Sequence, residues 1–202
     1  MSNFIYISLG PNCHTSGILK YLGYKKESYP FDWILTNLKI INYSILNNFS
    51  EFLDRNNYYK SNNKISLVEK NVKYLESMFH HRNPVDNESD FQYIIRCVNR
   101  FNNLQNNNKF KLFFHTVYNN SYNKDELLEC DNILNKKFNN YKLILFNYIK
   151  SDEKKYSIIK DKIIIINIYI QYNPSIDYDI DKSIFDFHNN NKVIEEILKK
   201  FI

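Results

Sequence analysis

The chain of 202 residues has no alanine, three glycines, four prolines, two methionines and one tryptophan. Asn, Lys, Ile, Tyr and Phe fill the space, a composition expected of a very AT-rich genome. Asn tracts such as 106–108 and 189–191 therefore read as loop padding with no functional weight. Cysteine is equally sparse: Cys13, Cys97 and Cys130 are an odd number without C-x-x-C spacing, which argues against a disulfide scaffold or a zinc ribbon and for a reducing compartment. That compartment is the cytoplasm, or a host cytoplasm or virion if the source is viral. No apolar run approaches the roughly 18 to 20 residues of a bilayer helix, and the start lacks a basic segment ahead of a long apolar one, so membrane spanning and secretion are not expected. P-loop, G-x-G-x-x-G and H-E-x-x-H motifs are missing too. Asp177, Asp179 and Asp181 alternate without the glycine and terminal Glu of a calcium loop. No cofactor and no metal are expected.

What is present suffices for a folded core. Hydrophobic residues make up 44% and aromatics 16%, enough apolar surface to offset ordering entropy despite a mean hydropathy of −0.51. Lys and Arg exceed Asp and Glu by 27 to 22, a net +5, but the lysines are interrupted by acids and read as a solvated surface. Basic stretches with interleaved tyrosines, at Tyr21 to Lys26 and Tyr58 to Lys60, are a weak nucleic-acid signal beside half-buried tyrosines with solvated lysines, so a nucleic-acid partner is disfavoured.

Periodicity predicts alternating strands and helices. Residues 3–9 are an apolar, β-rich run stopped by Gly10-Pro11. From Asn12 the period becomes helical, with Asn12 as N-cap, Ile18, Leu19 and Leu22 on one face, and Gly23 as the C′ residue. Residues from Trp33 to Leu53 read as an amphipathic helix broken once, residues 56–64 as a loop, and residues 91–104 as a helix. Apolar runs at 110–117, 143–149 and 163–170 complete the strands, and 193–202 closes as a helix. The expected fold is one α/β domain over residues 1–202: a mainly parallel sheet with helices on both faces.

The chemistry points to Gly10-Pro11-Asn12-Cys13-His14. If Asn12 caps the helix, Cys13 lies in its first turn, where unpaired amides and the helix dipole favour thiolate. Gly10 allows the sharp turn that holds the sulfur at the carboxyl edge of the sheet. The competing reading is a small buried filler. His14 adjoins Cys13, but side chains of neighbouring helical residues diverge by about 100°, so it reads as a surface or mouth residue.

Ile7-Ser8-Leu9-Gly10-Pro11-Asn12-Cys13 with Leu19, followed by Ser28-Tyr29-Pro30-Phe31-Asp32-Trp33-Ile34, resembles the paired opening motifs of a papain-like cysteine peptidase family of bacteria and some large DNA viruses. The similarity extends to Phe79-His80-His81, where Arg82 stands in place of an expected acid, and to the Arg-x-x-x-Arg-Phe pattern of Arg96 to Phe101. It implies peptidase chemistry at Cys13. A thiol nucleophile needs a base and a group that orients it. His81, with His80 as substitute, is the first choice, and Asp32 is the candidate orienter, its alternative being a helix cap near Trp33. Gly10, Asn12, His14, Trp33 and His80 are the expected binding residues.

A second scheme takes its base from the Asp186-Phe187-His188 element, in the chain order of SGNH-type esterases. His115 at the end of a strand is a further candidate. The expected partner is a peptide, acyl or glycan-type substrate. A non-catalytic recognition module for glycan, peptide or protein is the alternative.

Overall fold

A computed structural model of the protein describes residues 3–61, 64–67, 78–149, 156–169 and 199. Its centre is a five-stranded sheet formed by β1 (Phe4–Ser8), β4 (Phe110–Tyr118), β5 (Tyr141–Ile149), β7 (Ile163–Tyr169) and β6 (Tyr156–Lys160), in the spatial order β1-β4-β5-β7-β6. The first four strands run parallel, and β6 pairs antiparallel with β7. β2 (Tyr58–Ser61) and β3 (Lys64–Leu67) form a separate antiparallel hairpin. The helices are α1 (Cys13–Tyr21), α2 (Leu38–Leu46), α3 (Glu88–Asn103) and α4 (Lys124–Lys137).

The four parallel strands are covered on both faces, which is why they read as continuous apolar runs. On one face Leu112, Phe114, Ile144, Phe146, Ile164 and Ile166 pack with Ile18 and Leu19 of α1. On the other, Phe113, Leu143, Leu145, Ile163 and Ile165 join the larger core built with α2, α3 and α4. The expected parallel sheet with helices on both faces is the observed architecture.

Local chemistry sets the helix ends. Asn12, Asn37, Asn87 and Asn123 each stand at an N-cap, their side-chain oxygens accepting from first-turn amides. α1 ends in a Schellman motif: Gly23 has φ +71°, its amide donates to the Lys20 carbonyl, and the Tyr24 amide donates to that of Leu19.

Three expectations are corrected. The helix predicted from Trp33 starts at Leu38, because residues 30–34 are turns and Asn37 supplies the cap. β2 and β3 pair as a hairpin where residues 56–64 were expected to be a loop. β6 lies between the apolar runs at 143–149 and 163–170, in a segment that the sequence reading took as compatible with a helix. The predicted helix at 193–202 lies outside the described residues, apart from helical Lys199.

Candidate active site

The turn between β1 and α1 is built around three consecutive carbonyls. The Leu9 carbonyl accepts from the Thr36 hydroxyl at 3.2 Å. That of Gly10 accepts from the Thr15 hydroxyl at 2.6 Å and the Thr116 amide at 3.1 Å, and that of Pro11 accepts from the Thr36 amide at 2.7 Å. Thr15 and Thr116 also bond to each other at 2.7 Å. Gly10 has φ +88°, and a Cβ there would fall 2.2 Å from the Thr36 Oγ1. The turn thus requires a residue that adopts a left-handed backbone and carries no side chain.

This turn delivers Cys13 to the first position of α1, at the carboxyl end of β1. The residue is half-buried and outside any disulfide. Asn12 is 7% exposed, and its Oδ1 accepts from the His14 amide at 2.9 Å, so the cap is folded into the protein while the adjoining sulfur-bearing residue reaches the surface.

His14, expected at the surface or mouth, is buried. Its ring lies between two tyrosines at the carboxyl ends of adjacent strands, with Nδ1 3.1 Å from the Tyr118 hydroxyl and Nε2 3.4 Å from that of Tyr148. Tyr118 and Tyr148 are register partners, and their rings stack at 5.5 Å. Burial pushes the His14 pKa down to about 4, so the ring is neutral at pH 7. His115 lies on the face of β4 opposite Thr116. Burial lowers its pKa to about 4 as well, against a hydrogen bond to the Leu9 backbone, and its Nδ1 has no hydrogen-bond partner among the described residues.

His80 and His81 are exposed. The segment that carries them is tied to the turn before Cys13: the Thr36 amide donates to the Pro11 carbonyl, and the neighbouring Leu35 amide donates to that of Met78 at 2.9 Å. Trp33 meets the His81 ring edge-on at 6.3 Å, and the Lys25 ammonium sits 5.8 Å from the Trp33 ring. His80 and His81 line an open cavity of about 360 Å³ with Lys60, Phe79, Arg82 and Asn83. Asp90 lines it too, with Oδ1 on Arg82 at 2.8 Å and Oδ2 on the Asn83 amide at 2.9 Å. Arg82, where an acid was expected, also covers the Tyr93 ring at 3.4 Å. A second cavity, of about 320 Å³, lies at the amino ends of β1 and β4 and does not include Cys13.

Asp32 is 1% exposed, and its oxygens face Ser16, Lys25 and the Tyr29 amide. Among the described residues no imidazole donates a hydrogen bond to Asp32. Burial raises its carboxyl above the usual range, opposed by Lys25 and the two other donors. His188 lies outside the described residues, as do Asp177, Asp179 and Asp181. Among the described residues no group of three His, Cys, Asp or Glu side chains could hold a metal ion, and no helix is long and apolar enough to cross a membrane.

A parallel α/β sheet with a half-exposed cysteine on the first turn of the helix that follows its first strand is the class this geometry defines. The chain belongs to the family described as "Putative papain-like cysteine peptidase (DUF1796)", whose model matches residues 4–149. That match runs through β5, well beyond the motifs of the first half. An "Uncharacterized protein R408" of Acanthamoeba polyphaga mimivirus is 30% identical over 200 residues, covering 79% of this chain and 89% of the viral protein. No solved structure matches.

The sequence reading missed Thr36, Thr116, Tyr118 and Tyr148. None falls in a motif, and only the strand register and the return of residues 33–36 bring them to the turn.

Proposed function

We propose that this protein is a thiol-dependent hydrolase, most directly a cysteine peptidase acting on peptide substrates. Cys13 Sγ attacks the substrate carbonyl and forms a thioester. The thiol proton passes to His81, which returns it to the leaving amine, and a water molecule then releases the acid and regenerates the thiol. The observation that carries this reading is the half-exposed Cys13 at the capped start of α1, where first-turn amides and the helix dipole favour the thiolate.

The choice of base follows from burial. Moving a proton from an ordinary thiol, pKa about 8.5, to an imidazole held near 4 costs about 6 kcal/mol before the ion pair forms. His14 and His115 are therefore poor acceptors. His81 and His80 are the exposed imidazoles among the described residues, and Trp33 packs against the first of them. Asp32 serves this arrangement indirectly: through Ser16 it joins α1 to the segment that carries Trp33, and through Lys25 it closes that segment on itself.

The test is turnover of a panel of peptide amides and activated acyl esters. We expect an acyl adduct on the peptide containing Cys13, and a loss of 100-fold or more in Cys13→Ala, with a comparable loss in His81→Ala. Turnover that survives Cys13→Ala would contradict the mechanism.

A further inference from the structure

We propose that the cavity at the amino ends of β1 and β4, at the opposite end of the sheet from Cys13, binds a small aromatic phosphate monoester of the size of a nucleoside monophosphate. The inference stands apart from the reading of Cys13, because that residue does not line the cavity.

Charge selects one end of the ligand. Three cations, Lys26, Arg100 and Lys109, line this cavity of about 320 Å³ with a single acid, Glu27, which leaves positive charge in excess. None of the three forms an ion pair among the described residues. Arg100 is the fixed member: it is half-buried in the last turn of α3, and its Nη1 donates to the Ser28 carbonyl at 3.1 Å. A guanidinium oriented in this way and left without a carboxylate has the geometry for a bidentate bond to phosphate oxygens. Lys111, 3% exposed, strengthens the same field. Its ammonium donates to the carbonyl of Asn107, a residue of the cavity wall, and it too has no ion pair among the described residues. A bound dianion offsets the cost of holding these cations partly out of water.

The rest of the wall selects the body of the ligand. Tyr6 and Tyr24 line the cavity and stack at 4.4 Å with 15° between their planes, and Tyr6 also lies against Phe114 at 6.2 Å, so the wall includes a fixed aromatic column. A planar ring gains packing energy on such a surface. Asn103 and Asn107 add carboxamides that match the polar edges of a base, and the Asn107 Oδ1 accepts from the Lys109 amide, which leaves its NH₂ to donate. An inorganic ion would use the charge alone and a nucleoside the rings and carboxamides alone, whereas a nucleoside monophosphate uses both. The volume stands at the lower end of the roughly 300–1,000 Å³ of small-molecule sites, which suits one nucleotide and not a strand.

The test is calorimetric titration of the full chain with AMP and UMP. Adenosine and inorganic phosphate serve as the two halves of the ligand, and a short single-stranded oligonucleotide as the extended competitor. We expect saturable one-to-one binding of the nucleotides, about tenfold or more tighter than either half. Arg100→Gln should weaken nucleotide binding by about tenfold or more and leave adenosine unchanged, as expected for a lost charge-assisted bond. Lys26 and Lys109 are exposed, so their joint replacement by Gln leaves the fold intact and should weaken the nucleotide in the same direction. Urea unfolding checks every variant, and the lysine pair carries the test if Arg100→Gln loses stability. The proposal is overturned by no nucleotide binding at about 1 mM. It is equally overturned by inorganic phosphate binding as tightly as the nucleotide, by a preference for the oligonucleotide, or by an affinity that folded variants leave unchanged.

Discussion

Gly10 concentrates the demands of the site in one residue. Its left-handed backbone excludes most side chains, and the space a Cβ would need is filled by the hydroxyl of Thr36, which is itself bonded to the Leu9 carbonyl. Gly10→Ala should therefore destabilise the protein by about 1–2 kcal/mol from backbone conformation alone, with a further cost as Thr36 is displaced. Chemical denaturation should show the loss, and Gly17→Ala, at a helical position with open space around it, should be neutral or stabilising. Equal effects at the two glycines would contradict this account. Gly10 was legible in the sequence as a turn residue, because a glycine followed by proline between two hydrophobic periodicities has a local meaning. Thr36 was not, since its partner is 27 positions away in the chain.

Asparagine teaches the same lesson from the other side. The AT-rich composition makes it abundant, and abundance hides its purpose in a sequence reading. In the structure it caps all four described α-helices, and Asn48, Asn119 and Asn120 take left-handed backbone positions where glycine would otherwise be expected. Composition explains how many asparagines there are, and position explains which of them matter.

Among the elements, those with strong local signals were legible: β1, α1 with both its caps, α3, and the three central strands. The segment between α1 and α2 was not. Its apolar residues have helical spacing, yet each serves a different contact. Phe31 enters a cluster with Phe49, Phe52 and Phe101 at ring distances of 5.7, 6.1 and 6.4 Å, while Asp32 turns to Lys25 and Trp33 to His81. The segment is thus a set of tertiary anchors, and tertiary contact overrides periodicity there.

The buried pair of Lys25 and Asp32, with side chains 8% and 1% exposed, closes this segment on itself, while the Ser16 hydroxyl on the other Asp32 oxygen joins it to α1. Lys25→Met would leave a buried carboxylate without its cation, which typically costs about 3–5 kcal/mol. Urea unfolding should show that loss, and adding Asp32→Asn should recover part of it. If Lys25→Met is neutral, the pair does not hold this segment in its fold.

At the scale of the whole molecule, two imidazoles are buried in a form that acid must disrupt. His14 and His115 have folded pKa values of about 4, below the ordinary 6.5 of an unfolded chain. Between those limits the unfolded state binds protons that the native state refuses, so stability is complete above pH 6.5 and falls as pH drops toward 4. The shift amounts to about 3 kcal/mol for each ring. Asp32 acts in the opposite sense, because a raised carboxyl retains its proton in the native state to higher pH. The effect of histidine is therefore read as a difference: His115→Asn should flatten the decline of unfolding free energy between pH 6.5 and 4 relative to wild type. Parallel curves would show that the buried ring does not couple folding to protonation.

The fold class was legible because a parallel sheet covered on both faces writes long apolar strands into any sequence that forms it. The candidate site was half legible. A capped helix start announces Cys13, whereas the tyrosines that enclose its neighbour and the return of residues 33–36 exist only through the packing of distant segments.

The central claim is that the amide-lined start of α1 primes the Cys13 sulfur. The most direct measurement is a pH titration of the protein labelled with carbon-13 at cysteine Cβ, followed by NMR. Cys97 and Cys130 serve as internal references, since burial pushes both thiols up. The account predicts that Cys13 titrates well below 8.5 while the other two signals stay unmoved through that range. A Cys13 signal that titrates at or above 8.5 would contradict it.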